Sequence, residues 1–363
     1  MNIALDVSSL DSAHLSGVGI YIQNLFQRLH QETEITCCPV ARWSRWNRRK
    51  KMASHLECWP RLLLGGRTLF EFKPFDIWHG PDFRLPSHTV LKKIVTVHDL
   101  AFYEPGLTSP EFAKKRMTLL ENMLIEKKPD AVITVSESTR QALIKRFPQY
   151  EHKSFVTHLG VDLNPSENSE VPLPNPPLRE KSHTRPYFLF VGNLEARKNI
   201  IGLIEAFDHF CSTTSKDFDL ILIGKPGFDW ENIRTKLTQL KFRNNVLVKG
   251  YVSNFELRQY YQEAQALLYP SLLEGFGIPI VEAMAQGCPV LTSYGSSTEE
   301  VAGSAALLVD PHSQEDLQKG IARLLDKNIQ QKLSSKGLQR AKNFSWQNTA
   351  QKTKAVYEWV LSQ

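Results

Sequence analysis

Two apolar runs, separated by a glycine-rich segment and a short helical stretch, constrain the fold of this chain most. Residues 266–269 and 290–292 have the length and composition of buried β-strands. Between them, Pro279 suits the first turn of a helix, where its missing N–H is not needed, and Gly287 suits the end of that helix. Two strands joined through a helix form a parallel pair, which favours the α/β class.

The same alternation of apolar runs and helical stretches recurs along most of the 363 residues. A chain of this length exceeds one ordinary hydrophobic core, so two domains are expected. We therefore predict two Rossmann-like domains, each a doubly wound parallel sheet, that face each other across a cleft. The predicted strands are 2–7, 35–40, 76–79, 93–98, 131–135 and 155–158 in the first half and 187–191, 220–223, 246–248, 266–269, 290–292 and 306–309 in the second.

Proline content marks the boundary between the two predicted domains. Six prolines fall between residues 164 and 186, a density that excludes both a helix and a central strand. The segment 164–186 is therefore predicted to link an N-terminal domain, residues 1–163, to a C-terminal domain, residues 187–344. The last segment, 345–363, is predicted to be helical.

The net charge of +6 is confined to the first half of the chain, where residues 1–160 hold 22 Lys and Arg against 16 Asp and Glu. Six of these cations fall within residues 42–51, and Trp43, Trp46 and Trp59 lie among or just after them. Three interpretations remain open: a solvated loop, a surface for RNA stacking, or contact with an anionic membrane surface. No nucleic-acid-binding motif accompanies the stretch 41–67, so a nucleic-acid partner is not expected.

The cysteine content and the first residues of the chain indicate the cellular compartment in which the protein is expected. The five cysteines show neither metal-ligand spacing nor a disulfide framework, which suits a reducing cytoplasm. The chain enters a predicted strand at once, and no apolar run approaches the length of a membrane-spanning helix. A cytoplasmic protein is expected, with peripheral contact at the inner face of the membrane as a further prediction.

Glu274 and Glu282, two carboxylates with seven residues between them, indicate a ligand site rather than a simple connection between a strand and a helix. Glu274 lies beside Gly275 and Gly277, which let backbone amides approach a ligand closely. The N–H groups of Gly277, Ile278 and Ile280 at the helix start are expected to bind an anion. Carboxylates that accept from hydroxyls, next to amides that donate to phosphate, suit a nucleotide sugar.

A second group of candidate residues follows the strand 187–191. Arg197 and Lys198 are predicted to lie at the start of a helix, where cations oppose the helix dipole. The stability of the helix alone would not favour cations at its start, so an anionic ligand explains Arg197 and Lys198 better than a solvated loop does.

Asp217 and Asp219 have the D-x-D form of a metal–diphosphate site. They precede their strand, however, and are expected to be a solvated strand start.

Candidate residues in the first half also follow predicted strands. Gly17 and Gly19 lie between the first strand and a helix predicted over 20–29, but the third glycine of a dinucleotide fingerprint would fall at Ile22. His98 and Asp99 lie at the carboxyl end of their strand, the edge at which parallel sheets bind ligands. His79 is a second candidate on that edge.

The frame E-G-F-G-I-P-I-V-E-A-M-A-Q-G over residues 274–287 resembles the retaining family-4 glycosyltransferases of GT-B fold. The segments G-V-G, H-D-L and G-N-L-E-A-R-K-N are similar to those of bacterial mannosyl- and rhamnosyltransferases of polysaccharide assembly. The chain departs from the family at Ile20 and Asn193, where some members carry arginine.

The resemblance implies a hexosyltransferase that moves a mannose-like sugar from a nucleotide diphosphate sugar, GDP-mannose before UDP-sugars, to a glycan or lipid-linked acceptor. No metal and no cofactor are expected. The N-terminal domain would bind the acceptor, the C-terminal domain the donor, and the helix 345–363 would return to the N-terminal domain. The implied catalytic residues are His98, Glu274, Arg197 and Lys198; the donor-binding residues are Gly17, Gly19, Arg197, Lys198, Glu274, Gly275, Phe276, Gly277, Ile278 and Glu282; the acceptor-binding residues are Asp99 and His79.

Other functions remain open from the residues alone. A sugar-nucleotide epimerase or a phosphorylase could use the same fold. A non-catalytic basic scaffold that binds membrane or RNA through residues 41–67 is a further alternative. The carboxylates Glu274 and Glu282 are assigned to binding rather than to covalent attack, and stabilisation of the departing diphosphate by Arg197 and Lys198 is expected to drive the reaction.

Overall fold

The computed structural model describes residues 1–12, 15–64, 67–68, 75–86, 91–162, 185–214 and 217–363. The predicted linker 164–186 lies outside the described residues except for its last two positions. The strands are β1 Asn2–Asp6, β2 Thr36–Arg42, β3 Arg61–Leu64, β4 Arg67–Thr68, β5 Ile77–Gly80, β6 Lys92–Val97, β7 Ala131–Thr134, β8 Ser154–Val156, β9 Tyr187–Val191, β10 Asp219–Ile223, β11 Val246–Gly250, β12 Ala266–Tyr269, β13 Val290–Ser293 and β14 Leu307–Val309. The α-helices are α1 Gly17–His30, α2 Arg49–Leu56, α3 Pro110–Glu121, α4 Glu137–Arg146, α5 Ile200–Thr213, α6 Trp230–Gln239, α7 Asn254–Glu263, α8 Ile278–Ala285, α9 Ser297–Ala302, α10 Gln314–Arg323, α11 Lys327–Ala341 and α12 Trp346–Ser362.

These elements belong to two compact units. The first unit comprises residues 1–103, 111–160 and 346–363, and the second comprises 104–110 and 161–345. The last helix, α12, thus belongs to the first unit although the chain reaches it from the second. The short segment 104–110, which belongs to the second unit, was not anticipated from the sequence.

The first unit contains an eight-stranded sheet in the order β4-β3-β2-β1-β5-β6-β7-β8. All neighbouring strands are parallel except β3 and β4, which are antiparallel. The chain runs outward from β1 through β2 on one side and from β5 through β6 on the other, so β1 and β5 form the switch point of the sheet. Ligands bind beyond the carboxyl ends of the strands at such a point.

The first helix of this unit shows why its sequence becomes helical. Ile22, Leu25 and Leu29 recur at helical spacing and are fully buried. The helix begins at Gly17, earlier than the predicted start at residue 20, because the Ser16 side chain caps it by accepting from the Gly19 N–H at 3.3 Å. The glycine pair therefore forms the first turn of α1.

The second unit contains six parallel strands in the order β11-β10-β9-β12-β13-β14. Every residue of β9 and β12 is buried, as expected for central strands covered on both faces. The switch point lies between these two strands. The prediction of two doubly wound α/β sheets is confirmed.

Two segments differ from the sequence prediction. Residues 43–48 form a 3₁₀ helix that leads into α2, so the basic stretch is largely helical rather than a loop. Asp219 is buried at the start of β10 and accepts from the Asn245 side chain at 3.3 Å, so it is not a solvated residue.

Among the helices in the described residues, none combines the length and apolar composition that a membrane crossing requires.

Candidate functional site

The candidate donor site lies at the carboxyl edge of the six-stranded sheet, where β9 and β12 are neighbours. The connections that leave these strands diverge, because β9 leads to β10 on one side and β12 leads to β13 on the other. The segments that follow the two strands, 192–199 and 270–277, meet at this edge. Leu272 N–H donates to the Arg197 carbonyl oxygen at 2.8 Å, which ties the two segments together.

The donor-site ion cluster consists of Glu195, Arg197, Lys198, Tyr269 and Glu274. Arg197 lies between two carboxylates, with Nη1 2.9 Å from Glu274 Oε2 and Nε 2.6 Å from Glu195 Oε1. Lys198 Nζ donates to Glu274 Oε1 and to the Tyr269 hydroxyl. The Tyr269 hydroxyl in turn donates to Glu274 Oε1 at 3.1 Å. Three of the predicted catalytic residues are therefore brought together in one network.

Burial and mutual pairing set the protonation states of this cluster. Burial alone would raise the pKa of Glu274, but the charges of Arg197 and Lys198 outweigh it and lower that pKa to about 2. Burial, followed by the neighbouring Arg197, lowers the pKa of Lys198, and Glu274 opposes this change. The carboxylate is ionised near neutral pH and is contacted by the side chains of Arg197 and Lys198.

The helix α8 begins at this edge with a glycine whose backbone is left-handed. Gly277 has φ of 97°, and a Cβ there would lie 3.0 Å from the Ile280 side chain, so a larger residue would be strained. The Ile280 N–H donates to the Gly277 carbonyl oxygen at 3.0 Å, so the expectation that it binds an anion is wrong. In the described residues, the N–H groups of Gly277 and Ile278 have no hydrogen-bond acceptor.

Phe276 is a predicted donor-binding residue, but its side chain does not suit that role. Its side chain is buried and packs edge-on against Phe344, with ring centroids 5.6 Å apart. Only its backbone can therefore contact a donor. Gly275 precedes it in the same loop, and the Ser297 hydroxyl anchors that loop by donating to the Glu274 carbonyl oxygen at 2.7 Å.

Glu282 lies on α8 and has a separate hydrogen-bond partner. It accepts from the Tyr261 hydroxyl at 2.9 Å, and burial raises the pKa of its carboxyl group. The opposite pKa shifts of Glu274 and Glu282 follow from their surroundings, since two cations contact Glu274 directly and a hydroxyl contacts Glu282. The two carboxylates are thus chemically distinct although they share one sequence frame.

In the first unit, His98 follows β6 at the carboxyl edge of the sheet. Its Nε2 lies 2.8 Å from the Pro81 carbonyl oxygen, which can only accept, so Nε2 carries the hydrogen and Nδ1 is the acceptor. The Tyr21 ring packs edge-on against it at 5.1 Å. Burial lowers the pKa of His98, so the neutral ring is favoured. The neighbouring Asp99 accepts from the Ala101 N–H at 3.1 Å and shapes the following turn.

His79 does not suit its predicted role in acceptor binding. It is fully buried, and its Nδ1 and Nε2 lie 2.7 Å from the Tyr357 hydroxyl and 2.8 Å from the Thr96 hydroxyl. Both ring nitrogens are occupied within the interior of the first unit, which leaves neither for a ligand. Burial lowers the pKa of His79 to about 3, so it is a neutral core residue.

Gly17 and Gly19 have different surroundings within the first turn of α1. The Gly19 N–H is occupied by the Ser16 cap, and a Cβ at Gly19 would lie 3.1 Å from the Leu15 side chain. At Gly17 a Cβ would meet no atom within 4 Å. The space beside Gly17 is therefore open, whereas Gly19 allows close packing of the preceding loop.

Sequence reasoning missed Glu195, Tyr269 and Tyr261. Glu195 stands two residues before Arg197, and this proximity of opposite charges was a usable signal. Tyr269 is the last residue of an apolar strand, so its hydroxyl could have been expected at the ligand-binding edge. The contact between Tyr261 and Glu282 joins α7 to α8 and has no local signal.

Comparisons with known proteins agree with this geometry. The chain matches the family model described as Glycosyltransferase Family 4 over residues 15–165 and that of Glycosyl transferases group 1 over residues 176–343. It is 32% identical to O-antigen chain mannosyltransferase B of Escherichia coli over 80% of this chain and 76% of that protein. It is 30% identical to O-antigen chain mannosyltransferase RfbU of Salmonella typhimurium, over 65% of this chain and 60% of that protein.

Among solved structures, sucrose-phosphate synthase from Thermosynechococcus elongatus is similar to this chain, with a TM-score of 0.74 at 18% sequence identity. The alignment covers 100% of this chain and 99% of the synthase chain. The chain belongs to the family-4, group-1 glycosyltransferases, which have the GT-B fold. The predictions of the family, of the fold class and of a hexosyltransferase are confirmed. Family membership favours glycosyl transfer over the alternatives of an epimerase, a phosphorylase or a non-catalytic scaffold.

Proposed function

We propose that this protein transfers a hexose, with mannose as the first candidate, from a nucleotide diphosphate sugar to a glycan or lipid-linked acceptor in cell-surface polysaccharide synthesis. The observation that carries the proposal is the buried network of Arg197, Lys198 and Glu274 at the switch point of the second sheet. The names of the two mannosyltransferase relatives support mannose and a polysaccharide product. GDP-mannose is therefore the first candidate donor, and UDP-sugars are the second.

Each donor-site residue has a separate role in this proposal. Arg197 and Lys198 bind the diphosphate, together with the N–H groups of Gly277 and Ile278. Glu282 accepts from the ribose hydroxyls. Glu274 accepts from a sugar hydroxyl. Its two oxygens offer about four acceptor sites, and Arg197, Lys198 and Tyr269 occupy three of them.

The chemistry of transfer explains why cations are needed at this site. Cleavage of the bond between the sugar and the phosphate leaves negative charge on the departing diphosphate. Cations and oriented amides that stabilise developing charge usually make the largest single contribution to catalysis. Retention of configuration follows if the acceptor attacks from the face that the leaving phosphate occupies, with that phosphate accepting the acceptor's proton. His98 of the first unit is proposed as a further catalytic residue, and Asp99 as an acceptor contact.

A thermal-shift panel of nucleotide sugars tests the proposal. At a ligand concentration a hundredfold above Kd, binding stabilises the native protein by about 2.7 kcal/mol. GDP-mannose is expected to raise the Tm most, UDP-sugars less, and free mannose not at all. A panel in which no nucleotide or nucleotide sugar changes the Tm would contradict the assignment of the donor site.

A peripheral position at the cytoplasmic face of the membrane is also proposed, from the basic stretch of the first unit. Trp43 is 42% exposed and Trp59 is 61% exposed, and Lys50 and Lys51 are exposed on α2. Arg45 and Arg48 both pair with Asp11 at 2.7 Å, which reduces the charge that the stretch presents. The exposed lysines and tryptophans therefore support the membrane contact more than the arginines do.

Sedimentation with anionic vesicles measures this contact. Each cation near an anionic surface contributes about 1 kcal/mol, so replacing Lys50 and Lys51 by glutamine is expected to weaken vesicle binding by roughly tenfold or more. Replacing Lys114 and Lys115, two exposed lysines of α3, is the matched control and should leave binding unchanged. Equal pelleting of the native protein and both variants would contradict the proposal.

A further inference from the structure

The turn that carries Arg197 and Lys198 is joined to α5 through Asn199, a residue with an unusual backbone conformation. Residues 196–198 form a single 3₁₀ turn, and Asn199 follows it with φ of 55° and ψ of 41°. Residues other than glycine rarely adopt this left-handed conformation, although asparagine tolerates it better than most. Because α5 begins directly after Asn199, the φ angle of this residue sets the direction in which the turn leaves the helix. The positions of both cations therefore depend on one backbone angle.

The side chain of Asn199 does not have the role that asparagine usually has at the start of a helix. An asparagine at this position normally accepts from an N–H group of the first turn, but Asn199 makes no such capping bond. Its Nδ2 instead donates to the Pro311 carbonyl oxygen at 2.7 Å, across 112 positions of the sequence. This bond ties the segment after β9 to the segment after β14.

The Pro311 carbonyl is a well-fixed acceptor for this bond. Pro311 lies in the turn between β14 and α10, where the Asp310 N–H donates to Asp316 Oδ2 at 2.7 Å and the His312 N–H donates to Asp310 Oδ1 at 2.9 Å. The Ser313 side chain caps α10 by accepting from the Asp316 N–H at 3.2 Å. Hydrogen bonds on both sides of Pro311 thus hold the acceptor in place.

Gly202 leaves the space that the Asn199 side chain occupies. A Cβ at Gly202 would overlap the side-chain oxygen of Asn199 and would lie 2.9 Å from its Nδ2. Gly202 is inside α5, where glycine weakens a helix relative to alanine. Helix stability alone would favour alanine here, so the close passage of the Asn199 side chain explains the glycine.

We propose that Asn199 is a positioning residue for the diphosphate of the donor. Its bond to Pro311 holds the left-handed backbone, and this backbone keeps Lys198 against Glu274 before any ligand binds. Charges that are already in place avoid the cost of ordering them when a ligand arrives. The inference rests on the proposed binding of the diphosphate by Arg197 and Lys198, and it adds the residue that holds them.

Calorimetry with GDP and GMP, or with UDP and UMP if the thermal-shift panel favours a UDP-sugar, separates positioning from general stability. Asn199→Gly keeps the left-handed backbone accessible but removes the bond to Pro311. The affinity of this variant for the diphosphate is expected to fall roughly tenfold, because one hydrogen bond and the fixed turn are lost. Its affinity for the monophosphate, which lacks the second phosphate, should fall less.

Two further variants sharpen this measurement. Gly202→Ala displaces the Asn199 side chain and should also weaken diphosphate binding, although alanine favours the helix. The double variant should bind the diphosphate no more weakly than Asn199→Gly, since both changes remove the same bond. Lys128→Gly is the matched control, because Lys128 is an exposed residue of the first unit that also has a positive φ, of 44°. The control should bind both nucleotides like the native protein.

Urea unfolding without nucleotide tests the role of Asn199 independently of the donor. Asn199→Gly is expected to lower the urea midpoint less in a Glu274→Gln background than in the native one. The reason is that the ion pair between Lys198 and Glu274 is then no longer present to be weakened. Lys128→Gly should shift the midpoint equally in both backgrounds.

Two results would overturn the inference. If Asn199→Gly and Gly202→Ala keep the native ratio of diphosphate to monophosphate affinity, the bond to Pro311 supports only the fold. Equal shifts of the urea midpoint by Asn199→Gly in both backgrounds would show that Asn199 does not hold Lys198 against Glu274. A native protein that does not prefer the diphosphate would contradict the proposed donor site, whereas unequal urea shifts would still support the positioning of Lys198 by Asn199.

Discussion

Replacing Lys198 by methionine is expected to weaken GDP or UDP binding by roughly tenfold or more, because a charge-assisted contact to the diphosphate is lost. The same change leaves Glu274 buried with Arg197 as its one remaining cationic partner among the described residues. Breaking a buried ion pair by removing one partner costs about 3–5 kcal/mol, so the free energy of unfolding should fall as well. Calorimetry of nucleotide binding and urea unfolding measure the two effects.

Two further variants separate binding from stability. Adding Glu274→Gln to Lys198→Met removes the buried carboxylate that has lost one of its cationic partners, so stability should partly recover while nucleotide affinity stays low. Lys236→Met is the matched control, because this lysine pairs with Glu205 in the same unit away from the donor site. Unchanged nucleotide affinity in folded Lys198→Met would remove Lys198 from the diphosphate site.

Replacing Glu274 by glutamine is expected to lower kcat by roughly a hundredfold or more, by analogy with the loss of one preorganised group at a reacting centre. The neutral amide keeps the shape of the side chain but no longer holds Arg197 and Lys198 by charge. Free nucleotide should still bind with little loss, because both cations remain. Steady-state kinetics with GDP-mannose and calorimetry with GDP provide the two readouts.

Glu282→Gln provides the contrasting variant. Its partner is the Tyr261 hydroxyl rather than a cation, and its proposed role is to accept from the ribose. This variant should therefore lose nucleotide affinity by roughly tenfold, the cost of one hydrogen bond to a charged group. If Glu274→Gln and Glu282→Gln lose nucleotide affinity equally, the division of roles between them is wrong.

Most of the fold could be predicted because central parallel strands are buried on both faces. The strands β9 and β12 were predicted with the observed ends, since their apolar runs are continuous and bounded by turn residues. The strands β3 and β4, at one end of the first sheet, were missed. They have only four and two residues, which is too short for a periodic apolar signal. The helical form of residues 43–56 was missed for a similar reason, because their many cations obscure the helical spacing.

The features of the candidate site likewise fall into those that local sequence signals predict and those that depend on the tertiary structure. The sequence alone predicted the two-domain α/β class, the loop and helix start at residues 274–282 as a candidate donor site, and the nearby cations Arg197 and Lys198, because strand ends, glycines and helix starts are local signals. Only the tertiary structure decided that His79 is a core residue, since its partners Thr96 and Tyr357 come from distant parts of the chain. The pairing of Glu274 with Lys198 was likewise decided by the order of the strands. Strand order places residues far apart in sequence at one edge, and burial then determines which charges must pair.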